Sequence, residues 1–312
     1  MKRPRMHAPQ YSPLPALGAI VLCALALATA CGGGSPLPDD GIPVVAVSVQ
    51  PQAYFVDRIA GGRFRTLVLI GPGQSPHGYE PTPRQMSDLA RASIWFTVGA
   101  DFEKGILPKA SSLYPGMTLA DTTVGVVYRT MEEHSHEGEA EDGEHGDESP
   151  GGPDPHVWLG RQAVKAQAAV ILEALSRADP AHAGEFAANH ARFVDDLDRV
   201  FDGLAADLAP LEGSTAFVYH PAFGYFLDEF GIRQEAVETG GKEPTARALA
   251  ALIEEARADG ARVIFVQAQF PAAAAETVAE AIGGRALPID PLAPDWLDNL
   301  RRMGDALRES IP

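Results

Sequence analysis

The sequence predicts an α/β protein of two lobes, each with a mainly parallel four-stranded sheet flanked by helices, joined by one long rigid helix. Short β-branched apolar runs alternate with helical patterns in each half of the chain, which is typical of parallel sheets covered by helices. Between the two halves, one apolar stripe with helical spacing comprises Phe186, Phe193, Leu197, Val200, Leu204, Leu208 and Leu211. A helix of about thirty residues is about 45 Å long, so we expect a stiff connector.

Eight short apolar runs bounded by turn residues predict the strands of the two sheets. In the first lobe they are residues 44–49, 66–70, 94–98 and 123–127, and in the second 216–219, 234–237, 262–266 and 286–289. Two of the helices between them have recognisable ends. Thr82 is a candidate N-cap followed by Pro83 at the first helical position, and Thr245 caps a helix that Gly260 should end.

The N-terminus has the pattern of a signal peptide. Three basic residues precede an apolar stretch over residues 16–30 that is too short to span a membrane. The stretch ends in "ATAC", which resembles a bacterial lipobox and makes Cys31 the predicted lipidation site. We therefore expect a signal peptide at 1–30 and a flexible lipidated tether at 31–42, with membrane contact through the lipid.

Charge and cysteine content exclude several classes of function. The formal net charge is −17, and removal of residues 1–30, with three basic and no acidic side chains, makes it −20. Nucleic acid is excluded as a partner because phosphate binding needs a basic surface. Cys23 leaves with the signal peptide and Cys31 takes the lipid, so neither a disulfide nor a thiolate metal site is expected in the mature chain. Any metal site must use nitrogen and oxygen ligands.

Residues 132–153 are acidic and rich in Gly, Ser and Pro, and they predict a disordered loop. The loop carries His134, His136 and His145, which we interpret as weak auxiliary metal ligands, against the alternative of a merely solvated acidic insertion.

Four other residues are candidate ligands of a single metal site. His77 follows the second predicted strand, His156 lies in "PDPHVWLG", His220 follows the first strand of the second lobe, and Asp290 follows its last strand. Each is a weak indication alone, but side chains at the carboxyl ends of strands in two lobes can converge on one cleft. Three imidazoles and a carboxylate suit tetrahedral Zn²⁺, whereas Mn²⁺ prefers more oxygen ligands.

The ordered set "SPHGYEPTPRQ", "DPHVWL", "YHPAFGYF" and "IDPL", with the lipobox and the His-rich loop, resembles the zinc-type solute-binding lipoproteins of bacterial ABC importers. The resemblance covers residues 43–312. It implies a monomer outside the cytoplasmic membrane, in the periplasm or at the cell surface, that captures Zn²⁺ between its lobes and delivers it to a membrane permease. By motif match, His77, His156 and His220 are the histidine ligands. Asp290 is the candidate fourth ligand, although zinc-type members use water or another residue there.

The pattern of the chain predicts domain boundaries, with a first lobe at 43–179, a connecting helix at 180–211 and a second lobe at 212–312. One departure from the family is Gln267, where relatives often have Glu. It changes the charge of the cleft without removing a predicted ligand.

Three alternatives remain. The first is a manganese-selective member of the same family. The second is a zinc hydrolase, which the sequence disfavours because it has no HExxH helix and no second carboxylate beside a ligand motif. The third, a surface adhesin, has no support from any sequence feature. We therefore expect a protein that is not an enzyme.

Overall fold

The computed structural model describes residues 40–71, 73–76, 78–131, 151–238, 245–267, 269–270 and 273–310. The predicted signal peptide, Cys31 and most of the tether lie outside the described residues. The same is true of His77, His134, His136 and His145.

The first lobe contains a sheet in the order β2-β1-β3-β4 with every neighbouring pair parallel. Its strands are β1 (Val44–Val49), β2 (Arg65–Ile70), β3 (Ala92–Thr97) and β4 (Thr118–Asp121). Its helices are α1 (Gln50–Ala60), α2 (Pro83–Leu89), α3 (Asp101–Leu113) and α4 (Arg161–Ala178). All six residues of β1 are buried, as expected for a central strand covered on both faces. Thr82 caps α2 as predicted, and its hydroxyl accepts a hydrogen bond from the backbone N–H of Gln85.

The predicted strand at 123–127 is wrong. β4 lies earlier, and residues 122–125 form turns. Gly125 has φ +83°, a left-handed conformation that interrupts an extended strand. Val124 is 64% exposed and Val127 is 88% exposed, so their β-branched side chains are not buried in a sheet.

The connector is helix α5 (Ala183–Leu208), which is about 40 Å long at 1.5 Å per residue. Short 3₁₀ turns at Pro180–His182 and Ala209–Leu211 flank it. Every residue of the predicted apolar stripe is buried.

The second lobe repeats the plan of the first, with strand order β6-β5-β7-β8 and parallel pairing throughout. Its strands are β5 (Thr215–Val218), β6 (Arg233–Ala236), β7 (Val263–Val266) and β8 (Arg285–Pro288). Its helices are α6 (Gly224–Asp228), α7 (Ala246–Ala258), α8 (Ala273–Ala281) and α9 (Trp296–Arg308). Thr245 caps α7, and Gly260 has φ +69° just past its end, as predicted. The predicted fold class is therefore confirmed.

Aromatic side chains hold the lobes on the connector. Phe193 of α5 lies 5.6 Å from Phe55 of α1, and Phe55 meets Trp296 of α9 edge-on at 4.9 Å between ring centroids. All three rings are buried. Burial of such large rings stabilises the joint by a few kcal/mol each at about 25 cal/mol per Å² of apolar surface, so the connector is a packed joint.

Across the part of the chain that the structure describes, no helix combines the length and the apolar composition needed to cross a bilayer.

Candidate metal centre

His156 and His220 come together in the cleft between the lobes. Their Nε2 atoms are 3.2 Å apart, and each residue is only 2% exposed. His220 lies two residues beyond the end of β5, where the sequence predicts it. His156 does not follow a strand of the sheet, contrary to the expectation from sequence. It stands directly before the 3₁₀ helix Val157–Leu159.

A buried carboxylate fixes the orientation of each imidazole. His156 Nδ1 is 2.8 Å from Asp154 Oδ1, and His220 Nδ1 is 2.6 Å from Glu238 Oε2. A carboxylate can only accept, so Nδ1–H donates in both pairs, and in the neutral form of such a ring the lone pair is on Nε2. This is the carboxylate–histidine arrangement that supports metal ligands.

The separation of the two Nε2 atoms fits a shared metal ion. Two lone pairs facing each other at 3.2 Å repel unless a cation or a proton lies between them. Tetrahedral Zn²⁺ with Zn–N bonds of about 2.0–2.1 Å holds two nitrogen ligands about 3.3 Å apart. The pair is therefore preorganised for a small divalent cation.

Three neighbouring strand ends of the second sheet support His220. Glu238 follows β6, His220 follows β5 and Gln267 follows β7. Gln267 is fully buried; its Nε2 donates to the His220 carbonyl at 2.6 Å, and its Oε1 accepts from the His220 N–H at 3.3 Å. The amide supplies both the donor and the acceptor, which an ionised carboxylate could not, so Gln267 positions the backbone of a predicted ligand. The sequence alone indicates only a change of cleft charge at this residue, because the contact with His220 depends on the neighbouring strand ends.

Asp154 supports His156 from the first-lobe side of the cleft. It is fully buried, and its Oδ1 also accepts from the His156 N–H at 2.9 Å. Its Oδ2 accepts from Arg129 at 2.8 Å. Burial alone would raise the pKa of Asp154, but His156 and Arg129 bring that pKa below its ordinary value. The carboxyl group is therefore an anion that can compensate a bound cation.

The expectation that no second carboxylate stands beside a ligand motif is wrong. Asp154 precedes His156 by two residues, and Glu238 follows β6, the strand that pairs with β5. The Asp in "PDPH" was visible in the sequence, but the pairing of Glu238 with His220 depends on the sheet order.

Asp290, the predicted fourth ligand, has other contacts. Its Oδ1 accepts from Gln269 Nε2 and from the Leu292 N–H, both at 2.9 Å. It borders a cavity of about 700 Å³ in the second lobe. Among the described residues, no three His, Cys, Asp or Glu side chains gather within reach of one metal ion. The structure brings His156 and His220 together, and Asp290 as a ligand stays a prediction.

The Nε2 pair has apolar surroundings. Phe270 stacks on His220 with ring centroids 4.7 Å apart, and Trp158 meets His156 edge-on at 5.4 Å. A small cavity at the pair is also lined by Pro76, the residue before His77. His77 itself lies outside the described residues. Water-poor surroundings strengthen the attraction between a cation and its ligands.

The two lobes, the packed helical connector and the buried imidazole pair define a solute-binding protein built to hold a metal ion. The family model for the periplasmic zinc-uptake complex component A, ZnuA, matches residues 45–310, and the chain belongs to this family. Its members are substrate-binding transport components and not enzymes.

Individual relatives agree with this assignment. The high-affinity zinc uptake system protein ZnuA of Paracoccus denitrificans is 29% identical over 327 residues, covering 92% of this chain and 97% of the relative. The protein of the same name in Yersinia pestis is 27% identical over 262 residues, covering 80% and 82% respectively. A crystal structure of ZnuA superposes with a TM-score of 0.76 at 31% identity, covering 86% of this chain and 98% of that one.

Proposed function

We propose that this protein is the extracytoplasmic zinc-binding component of an ABC importer, which captures Zn²⁺ in the cleft and delivers it to a membrane permease. The observation that carries the proposal is the pair of Nε2 atoms 3.2 Å apart, each backed by a buried carboxylate. The similarity to the high-affinity zinc uptake system protein ZnuA of other bacteria supports it.

The donor set favours zinc over the alternative metal, manganese. Neutral imidazole nitrogens suit Zn²⁺, whereas Mn²⁺ prefers carboxylate, carbonyl and water oxygens. The two positive charges of the ion are compensated by Asp154 and Glu238 through the rings, so the buried ion is not left uncompensated. We assign His77 as the third ligand because Pro76 lines the same cavity as His156 and His220. Asp290 is the candidate fourth ligand, with water as the alternative.

The remaining parts of the chain follow from this role. Residues 1–30 direct export, and Cys31 carries the lipid that keeps the protein beside its permease. The segment with His134, His136 and His145 is an auxiliary, weaker collector of metal ions. Residues 43–179 and 212–312 are the two lobes, and 180–211 is the connecting helix. Small lobe movements about this helix release the ion.

The direct test is a zinc titration of the full chain, freed of metal, in competition with a chromogenic chelator. We expect one tight zinc, lost in His77→Ala, His156→Ala and His220→Ala. His182→Ala is the matched control, because that histidine pairs with Asp179 beside the connector, away from the cleft. Tight zinc binding that survives all three cleft substitutions would disprove the site.

Delivery is tested separately in cells. A strain lacking the gene should grow poorly in zinc-depleted medium, and the wild-type chain should restore growth. A chain with both His156→Ala and His220→Ala should not. Restoration by the double variant would mean that the cleft site is not the transported pool.

A further inference from the structure

Arg129 connects the support of His156 to the second lobe. Its guanidinium bridges two carboxylates on opposite sides, with Nη1 2.8 Å from Asp154 Oδ2 and Nε 2.8 Å from Asp228 Oδ2. Asp154 belongs to the first-lobe side of the cleft, whereas Asp228 ends helix α6 of the second lobe. The Arg129 side chain is 12% exposed and that of Asp154 is buried, so water screens this ion pair little, whereas the Asp228 side chain is 51% exposed.

Arg129 and Asp154 lie on paired segments, residues 129–131 and 151–154, which we call the stem. Met131 N–H donates to Gly152 at 2.8 Å, and Asp154 N–H donates to the Arg129 carbonyl at 2.9 Å. Thr130 and Pro153 form an antiparallel bridge, so the last three residues of the predicted disordered loop include a paired position. The stem fixes the backbone that leads into His156.

Helix α6 is shaped to dock on the stem. The Tyr225 hydroxyl accepts from the Arg129 N–H at 3.1 Å and donates to the Asp154 carbonyl at 2.9 Å. Gly224 lies against the Arg129 guanidinium, where a Cβ atom would overlap it. Gly224, Tyr225 and Asp228 thus form one contact surface on the second lobe.

The contacts form a chain from the second lobe to the metal pair: α6, Arg129, Asp154 and then the His156 ring. A fully buried carboxylate keeps its position only if its charge is compensated and its oxygens are bonded. Arg129 supplies that compensation to Asp154 Oδ2, while Oδ1 holds the ring. Displacement of α6 would release the guanidinium from Asp228 and loosen the support of His156.

We propose that Arg129 is a positioning residue for the His156 imidazole, and that α6 of the second lobe holds it in place through Gly224, Tyr225 and Asp228. This inference rests on the proposed zinc-binding function. It makes tight binding by a first-lobe ligand depend on the docking of a second-lobe helix. Lobe movement would then lower the metal affinity in two ways. It would separate the ligands, and it would also loosen the support of the His156 ring.

The test measures zinc Kd by chelator competition and the visible absorption spectrum of bound Co²⁺, which reports ligand geometry. Both use the full chain. Arg129→Gln should raise the zinc Kd by about 10–100-fold, the range for residues that support a metal ligand. Arg129→Lys should restore only part of the affinity, because it keeps the positive charge but one ammonium cannot bridge both carboxylates as the guanidinium does.

Gly224→Ala keeps every charge but displaces the guanidinium, so it should also raise the zinc Kd and change the Co²⁺ spectrum. Asp228→Asn should raise the zinc Kd by less, because the hydrogen bond between Arg129 and Asp154 stays in place.

Arg161→Gln is the matched control. Arg161 also links the lobes, through Asp198 and Asp202 of α5 and Glu229 beside α6. Within the described chain, it forms no hydrogen bond or ion pair with the stem or the metal pair. This variant should lower the melting temperature and leave the zinc Kd and Co²⁺ spectrum unchanged. Equal weakening by Arg161→Gln would show that general lobe docking is responsible, and would overturn the inference.

An unchanged Kd and spectrum in both Arg129→Gln and Gly224→Ala would also overturn it. If the wild-type chain binds no tight zinc, the proposed function fails first. If the wild type binds one zinc and these two variants bind it equally well, only the inference fails.

Discussion

The Nε2 atoms of His156 and His220 face each other at 3.2 Å although the two residues are 64 positions apart in the chain and lie on opposite sides of the cleft. Asp154 and Glu238 turn both lone pairs inward. This arrangement costs repulsion in the absence of a cation, and a bound Zn²⁺ relieves it.

The Glu238 carboxylate, which holds the His220 ring, should contribute measurably to the zinc affinity. Glu238→Gln leaves an oxygen that accepts from Nδ1–H but removes the negative charge, so we expect the zinc Kd to rise by about tenfold or more. Chelator competition measures this change. Glu254→Gln on α7, an exposed carboxylate paired with Arg257, is the control and should leave the Kd unaltered. Equal affinities for Glu238→Gln and wild type would remove Glu238 from the site.

Glu103 predicts a pH-dependent stability of the first lobe. Its oxygens accept from the Val98 and Gly99 N–H groups at 2.8 and 2.9 Å. Burial is the main cause that raises its pKa from 4.5 to about 7. Because the folded state then binds the proton more tightly than the unfolded state, its stabilising contribution is complete below pH 4.5 and is lost as pH rises towards 7. The loss is at most about 3 kcal/mol.

Urea unfolding of the metal-free protein at pH 5 and pH 8 checks this contribution. Glu103→Gln cannot titrate, so the difference in unfolding free energy between the two pH values should be smaller than in the wild type. Glu173→Gln on the exposed face of α4 should retain the wild-type difference. An identical pH dependence in Glu103→Gln would show that Glu103 titrates normally.

Replacing Gly203 by alanine should stabilise the connector helix. Gly203 lies inside α5, is exposed, and a Cβ atom there would meet nothing within 4 Å. Gly203→Ala should raise the free energy of unfolding by about 0.4–1 kcal/mol, because alanine has less backbone freedom to lose. Gly260→Ala also meets open space, but φ is +69° there, so it should destabilise. Denaturant unfolding measures the stability of both variants. A loss of stability in Gly203→Ala would contradict the placement of Gly203 at an open position inside α5.

The proposed lipidation of Cys31 predicts in which cell fraction the protein is found. If Cys31 carries the proposed lipid, the wild type should be recovered with membranes, because an acyl chain inserts into the bilayer. Cys31→Ala should appear in the soluble extracytoplasmic fraction with unchanged zinc affinity. Identical partitioning of both forms would exclude lipidation at this residue.

Local periodicity was sufficient to predict the two-lobe fold. Seven of the eight predicted strands overlap observed ones, and Thr82 and Thr245 cap their helices, because apolar spacing and capping depend on neighbouring residues. The failure at 123–127 has a local cause that the sequence also carried, since Gly125 interrupts the run. Composition alone does not distinguish an exposed apolar turn from a buried strand.

The support of the histidines could not be predicted in the same way. Gln267 contacts His220 across 47 residues, and Arg129 reaches Asp228 across 99. Such contacts depend on which strands are neighbours in the sheet and on how α6 packs against the first lobe. Local sequence patterns predict neither of these. His156 and His220 could be predicted because each lies beside a proline near the end of a strand expected from the sequence.

The measurement that tests the cleft site most directly is a metal count on residues 36–312 with segment 132–150 replaced by a short turn. The hydrogen bonds between Met131 and residues 151–152 show that the two ends are close enough to join. The protein is equilibrated with limiting, equal Zn²⁺ and Mn²⁺, washed, and analysed by elemental mass spectrometry beside the same chain with the segment intact. We predict one tight zinc in the shortened form and additional weak ones in the longer form. Manganese in the shortened form would make the zinc assignment wrong, and no metal at all would contradict the cleft site.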